Sequence, residues 1–291
     1  MTPTLIEIKQ GTPGFDRFIS SWVCQGEKNI VIDVGPSNSV KKLVESLKGM
    51  GLDRVDLILL THIHIDHGGG LGDFLEHFPT AGVICHEKGI KHLVDPSKLW
   101  AGSQKTLGAL SETYGPIKPI KRERLTSHNE ASVKGLRIVE TPGHAPHHLS
   151  FVYEEHLFAG EAGGVYFVMQ ESEYLRPATP SIFLLKEFLE SIDRLLTLED
   201  LPICYSHFGE AESSHQMLKR ARHQLIRWEG MIREEISSGE SHLVERCMES
   251  LLEKDPELSA FGAMDPDDQE RERFFMANSI RGYLGFLGLK K

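Results

Sequence analysis

The sequence predicts an α/β body that carries an all-helical C-terminal extension. Three observations lead there. Short β-branched runs alternate with helical periodicities up to about residue 211. One compact apolar run, "VDLILLT", feeds directly into "THIHIDHGGG" at residues 61–70. Beyond about residue 211 the strand signals stop and long helical patterns take over.

Taken in order, "TLIEIKQ" and "FISSWVCQ" have strand-like apolar spacing. "KNIVIDVG" is a β-branched run ended by Gly35 and Pro36. "SVKKLVESLKGMG" sets Val40, Leu43, Val44 and Leu47 at helical spacing, and Gly49 and Gly51 end it. "VDLILLT" reads as a buried strand, "GLGDFLEHF" as the next helix and "AGVICH" as the next strand. Residues 97–114 read as one helix inserted near the site mouth, with Trp100, Leu107, Leu110 and Tyr114 either covering the site or packing on the body. "GLRIVETPGHAPHHLSFVYEEHLFAGEAGG" alternates strand, loop, strand, turn, strand. "SIFLLKEFLESIDRLLTL" is a periodic helix, and "PICYSHFGE" a last strand entering a loop. The division is therefore a body over 1–211 and a helical extension over 212–291. Phe274, Phe275, Ile280, Tyr283, Leu284 and Leu287 in the extension read as packing residues; a pocket cover or a homodimer face are the alternatives.

Composition narrows the function. Apolar residues make up 40% and charged residues 25% of 291, as in globular chains. A net charge of −10 argues against nucleic acid as a partner, since that affinity rests on Lys and Arg facing phosphates. "KPIKRERL" at 118–125 is the one basic cluster and reads as a solvated face. The four cysteines are scattered, so neither a disulfide framework nor a cysteine zinc site is expected. No export signal and no membrane span is read, which points to a cytoplasmic protein acting on a small molecule.

"HIHIDH" is the segment that carries chemistry. His62 and His64 are two apart, so on an extended segment they share a side. Asp66 and His67 fall where the chain turns, and three glycines permit the turn. Ile63 and Ile65 can anchor the segment inward. Any single histidine could be a core residue bonded to a carbonyl. Four ligand-type side chains together are costly to bury, and a divalent cation removes that cost. Zinc, iron and manganese all accept this nitrogen–oxygen set. Asp33, in "VIDVG", either orients a ligand or caps its turn. His86 reads as a structural histidine at a strand end, and His92 and His128 among others as surface residues.

"THIHIDHGGG" matches the pattern T-H-x-H-x-D-H-x-G-G at every specified position, and here the chain resembles the metallo-β-lactamase superfamily. The resemblance continues through "TPGHAPHH" (141–148), "LFAGEAGG" (157–164) and "YSHFGE" (205–210). It implies a four-layer αββα sandwich with two divalent metal ions at one edge between the sheets, zinc first, with iron or manganese as alternatives. It implies that His62, His64 and His144 hold one ion and Asp66, His67 and His207 the other. Glu161 would bridge them together with a water or hydroxide. Most members carry Asp at that place; Glu161 keeps the charge one methylene further out. His148 would orient a ligand, while His147 is a loop residue or a second orienting group.

The reaction implied is hydrolysis of an ester, thioester, lactone or phosphodiester, with Asp66 a ligand and, as the catalytic residue, a proton carrier when the leaving group departs. No G-x-S-x-G elbow or P-loop competes with this reading. The alternative is a mononuclear non-haem iron enzyme of the persulfide dioxygenase kind, with one iron on two histidines and an aspartate. The complete HxHxDH set together with His207 favours two metals and hydrolysis. Tyr166, Tyr174 and Arg176, after Glu161, are candidates to touch substrate.

Overall fold

The computed structural model describes residues 2–169 and 172–289. Strands β1 (Thr4–Glu7), β2 (Ser20–Cys24), β3 (Ile30–Ile32), β4 (Leu57–Leu59), β5 (Gly82–Cys85) and β6 (Leu125–Ser127) form one sheet in chain order. The first three are antiparallel neighbours and β3 through β6 run parallel. Three further strands follow, β7 (Arg137–Glu140), β8 (Leu149–Tyr153) and β9 (His156–Gly160). A separate hairpin, β10 (Val165–Met169) and β11 (Ser172–Arg176), precedes β12 (Ile203–Tyr205) and β13 (Glu210–Ala211). The second sheet has the order β13-β12-β9-β8-β7.

Alternation along these strands explains the layers. Ile30 and Ile32 of β3 join Trp22, Leu59, Ile84, Phe151, Phe158 and Cys204 in an apolar cluster between the two sheets. Their neighbours Val31, Ile58, Val83, Leu157 and Ile203 point the other way and belong to a second cluster. That cluster includes Leu43 and Leu47 of α1 (Val40–Gly49), and Phe188 and Ile192 on a helix further along. Strands buried on both faces read as continuous apolar runs, as "VDLILLT" does. The result is the four-layer αββα sandwich.

The remaining helices are α2 (Ile65–Gly68), α3 (Leu71–His77), α4 (Glu87–Val94), α5 (Ser97–Leu107), α6 (Ala109–Tyr114), α7 (Leu185–Leu195), α8 (Ser214–Ser237), α9 (Leu243–Lys254) and α10 (Pro266–Phe286). In α8, Met217, Leu218, Ala221, Leu225, Trp228 and Ile232 repeat on one buried stripe. In α10, Met276, Ile280, Tyr283 and Leu284 do the same.

Three local expectations change, and one helix is added. Residues 97–114 form two helices, because Gly108 adopts φ +57, outside helical space. The helix expected from Ser181 starts only at Leu185, and Ile182 is left 85% exposed. The segment before α5, where the sequence analysis places no element, is itself helical: α4 contains Gly89, where a Cβ would meet Ile63 Cγ2 at 2.9 Å. The glycine lets α4 lie against the isoleucine that anchors the histidine loop. The basic cluster is partly spent on structure: Arg124 donates to the carbonyls of Pro79 and Ala81, and Lys118 pairs with Asp73 at 2.7 Å.

Among the described residues no helix is long and apolar enough to cross a membrane. All four cysteines are free and buried.

Candidate metal centre

The histidine loop is fixed from both sides. Ile63 and Ile65 are 1% exposed and anchor it. The His67 carbonyl accepts from the N–H groups of Val34 and Gly35 at 2.9 and 3.0 Å, which ties α2 to the end of β3. The segments bearing His144, Glu161 and His207 follow β7, β9 and β12, so all the site residues sit at one edge of the sandwich.

The ligand-type atoms of His62, His64, His144 and Glu161 lie within 4.8 Å of one another, and so do those of Asp66, His67 and His207. Glu161 reaches both groups. Its Oε2 is 2.6 Å from His144 Nε2 and 3.3 Å from His62 Nε2; its Oε1 is 3.2 Å from His207 Nε2. The longer side chain therefore spans the two groups without displacing either.

Four of the five imidazoles spend one ring nitrogen outside the centre. His144 Nδ1 donates to the Ala178 carbonyl at 2.7 Å, and His207 Nδ1 to the Phe18 carbonyl at 3.0 Å. His67 Nδ1 faces Asp33 Oδ2 at 3.3 Å. Thr61 Oγ1 donates to Asp33 Oδ2 at 2.7 Å, so it is an acceptor for His62 Nδ1 at 3.1 Å. Each bond selects the tautomer whose other nitrogen faces inward with a lone pair. Those inward nitrogens meet each other: His64 Nδ1 and His144 Nε2 are 2.9 Å apart, His67 Nε2 and His207 Nε2 3.2 Å apart. His62 Nε2 is buried with no hydrogen-bond partner. Converging lone pairs and an orphaned buried nitrogen are what a cation relieves, so the residues present fit the metal ions that the donor set implies.

The electrostatics say the same. Burial, then the neighbouring imidazoles His67 and His64, hold His62 well below the ordinary histidine range. Burial and His144 bring His64 down to about 4. Burial opposes charge on His207, but the bonds to Asp66 and Glu161 outweigh it and push its pKa up to about 10. Burial would likewise raise Asp66, yet His67 and His207 hold it at about 2. The cluster thus carries ionised carboxylates and a mixture of neutral and protonated imidazoles, a charge pattern in which protons occupy positions that cations can take.

Around this set, the predicted neighbours divide. Asp33, 1% exposed and at φ +55, accepts from Thr61 N–H, Thr61 Oγ1 and Ser206 Oγ besides facing His67, so it orients ligands. His148 accepts the Glu161 N–H on Nε2 at 3.0 Å and meets Thr141 Oγ1 at 2.8 Å, so it holds the carboxylate's backbone. Gly160 has φ +60 and passes this ring so closely that a Cβ would lie 2.5 Å from Nε2. His147 stacks at 6.3 Å on His62, its Nδ1 unpartnered. Tyr174 is fully buried with its hydroxyl toward Met276, and Tyr166 donates to Glu173; neither lines the cavity. Arg176 does. Residues 170–171, between Tyr166 and Tyr174, lie outside the described residues.

His86, His128 and Glu140 make a third group of ligand-type atoms. His128 is buried here rather than on the surface. Both rings accept a backbone N–H on Nδ1, from Lys88 and Glu87 at 3.0 and 3.2 Å. Their neutral forms must then carry the proton on Nε2, the nitrogen that faces Glu140. The group is a carboxylate bonded by His128 at 2.9 Å and faced by His86 at 3.6 Å, not a metal cradle.

The metal cluster opens into a cavity of about 500 Å³ with a mostly apolar wall. Leu99 and Leu107 of α5, Phe275 of α10 and Ile182 contribute to it. Leu107 and Phe275 thus take the site-covering place that the sequence offered as one of two readings, while Trp100, Leu110 and Tyr114 are not on the cavity wall.

An αββα sandwich with this donor set at one edge is the arrangement of a superfamily of metal-binding proteins, most of them hydrolases. The chain belongs to the metallo-beta-lactamase superfamily, whose family model matches residues 15–207. It is similar to the metallo-beta-lactamase fold-containing protein ST1585 of Sulfurisphaera tokodaii, 32% identical over 215 residues, 70% of this chain and 78% of that one. The crystal structure of ST1585 superposes with a TM-score of 0.70 over 98% of this chain and 100% of that one, at 25% identity. The probable metallo-hydrolase MJ0888 of Methanocaldococcus jannaschii is 30% identical over 68% of this chain and 90% of its own length. Hydroxyacylglutathione hydrolase of Salmonella typhi is 28% identical over 51% of this chain and 48% of its own length. Members of the superfamily are mostly hydrolases, and proteins of this fold bind metal ions.

Proposed function

We propose that this chain is a two-metal hydrolase of small-molecule esters or thioesters, with lactones and phosphodiesters as the wider class. The observation that carries the reading is Glu161, whose two oxygens reach two separate groups of inward ring nitrogens at the mouth of an apolar cavity. His62, His64 and His144 would hold one ion, and Asp66, His67 and His207 the other. When bound, the ions supply Lewis acidity toward a substrate oxygen and acidify a water near neutral pH. The chain's own part is orientation and exclusion. Asp33, Thr61 and the carbonyls of Phe18 and Ala178 hold the imidazoles. The cavity wall, mostly apolar, keeps bulk water off the acyl group. Asp66 lines the cavity as well as the second group, as Glu161 does, and is the carboxylate assigned here to pass a proton to a departing group. The acyl preference is supported by the similarity to an enzyme named for hydrolysing hydroxyacylglutathione.

Elemental analysis of protein purified without added metal or chelator is the test. About two zinc or manganese ions per chain, with turnover on an ester and thioester panel, is the expected result. One iron per chain with oxygen uptake on persulfides would replace this reading with the dioxygenase one.

A further inference from the structure

The cavity wall falls into two parts. One is the metal-binding set, from which His64, Asp66, His144, Glu161 and His207 face the cavity. The rest is mostly apolar, with Leu99 and Leu107 on α5, Phe275 on α10, and Pro180 and Ile182 on the segment between β11 and α7. The polar side chains in this second part are mostly spent inside the chain. Arg176 is paired with the buried Glu272. Ser103 Oγ donates to the Leu99 carbonyl and Ser279 Oγ to the Thr179 carbonyl, both at 3.0 Å. Lys98 is exposed, which keeps its ammonium in water.

Two features of this apolar part are costly as they stand. Ile182 is 85% exposed, the most of any large apolar side chain among the described residues. Its segment is nevertheless held at three points. The Ala178 carbonyl takes the His144 N–H at 2.7 Å, the Thr179 carbonyl takes Ser279 Oγ, and the Leu184 N–H donates to the Gly143 carbonyl at 3.2 Å. Two of these ties run to the loop that carries His144, so the place of Ile182 is set relative to the metal centre. The second feature is α5, which buries none of its 11 residues fully; Leu99 and Leu107 are only partly covered. A surface helix is stabilised mainly by covering its apolar stripe, and here the stripe is left half covered on the cavity wall. An apolar group seated in the cavity completes the cover of both. Because the same cavity contains the metal-binding groups, that group is one attached to the reacting centre.

We propose that the cavity is an acyl-chain chamber, and that the substrate is an ester or thioester of a medium-length, unbranched aliphatic acid whose chain lies against Ile182 and Leu107. This rests on the hydrolase reading for the fate of the acyl group, but not for the seating of the chain. The probes are straight-chain hydroxamic acids from acetohydroxamic to octanohydroxamic, which share one metal-binding head group and differ only in methylenes. Full burial of a methylene is worth about fourfold in affinity, and a chain covered on part of its surface about half that factor. Calorimetry on the zinc-loaded protein should therefore show affinity rising about twofold per methylene, or about sixtyfold across the series. Ile182→Asn and Leu107→Asn should each lower the octanohydroxamic-to-acetohydroxamic ratio about fourfold. Ile182→Asn changes a side chain that already stands in water, so it decides the matter if Leu107→Asn fails to fold. Affinity that stays flat along the series, or a rise untouched by Ile182→Asn, overturns the chamber. A rise with the expected losses in a protein that hydrolyses no ester or thioester upholds the chamber and overturns the hydrolase reading. Ester turnover with a flat series does the reverse.

Discussion

Two buried polar clusters in this chain are built on opposite rules. Asp255, 2% exposed at the end of α9, is closed by the chain itself. Gln224 Nε2 and Trp228 Nε1 donate to its Oδ2 at 2.8 and 2.6 Å, Arg227 to its Oδ1, and the Glu257 N–H to Oδ1 at 3.2 Å. Around the carboxylate donors meet acceptors, with Gln224 Oε1 alone of the cluster left without a partner, and the cluster fastens α8 to α9. In the histidine cluster, ring nitrogens converge on one another and on Glu161, and His62 Nε2 makes no hydrogen bond. A buried network that satisfies itself is structure; one that satisfies every outward atom and leaves the inward ones converging is a receptor.

Removing inward nitrogens should break the receptor without breaking the fold. His62→Ala or His64→Ala is expected to empty the first metal position and lower kcat/KM by about a thousandfold or more, a loss of about 4 kcal/mol in transition-state stabilisation. Metal content and steady-state kinetics check this, and a variant that kept full turnover without metal would sink the proposal. The opposite result is expected at the self-satisfied cluster. Asp255→Ala strands the Trp228 and Gln224 donors and should cost about 3 kcal/mol in stability. Denaturant unfolding would measure it, while metal content per folded chain stays the same.

Two smaller changes sharpen the contrast. Asp33→Asn keeps the shape but weakens the grip on Thr61 and His67, and should reduce metal affinity about 10–100-fold. Competition with a chromogenic chelator reads that directly; unchanged affinity would mean that Asp33 serves only its turn. Glu161→Asp should retain both ions but shift metal preference, with less than about a tenfold change in kcat. Identical metal content and kinetics would show that the extra methylene is neutral.

The asymmetry also explains what the sequence revealed. His62, His64, Asp66 and His67 are within six positions, so their convergence is local and legible. His144, Glu161 and His207 were legible only as motif segments, because their approach depends on the edge of the second sheet. Asp33 was visible as one of two options; its contact with Ser206, 173 positions away, decides between them. The groups that orient His144 and His207 are main-chain carbonyls, which no side-chain pattern encodes. The apolar runs of β3, β4 and β5 announced the strands, whereas the break at Gly108 and the contact of Gly89 with Ile63 needed the tertiary structure. Tyr174 was misjudged because a strand residue beside the site can face the core as readily as the cavity.

Those two carbonyls have a further consequence. Phe18 and Ala178 steady the imidazoles through their backbone, while both residues also lie on the cavity wall. What grips the ligand and what meets the guest are thus different atoms of the same residue. At Ala178 the side chain can be exchanged, by evolution or by an engineer, to redraw the shape of the chamber while its carbonyl still holds His144; Phe18 has less freedom, because its ring also packs 4.5 Å from His207. The scaffold keeps its chemistry constant and leaves its selectivity open to revision.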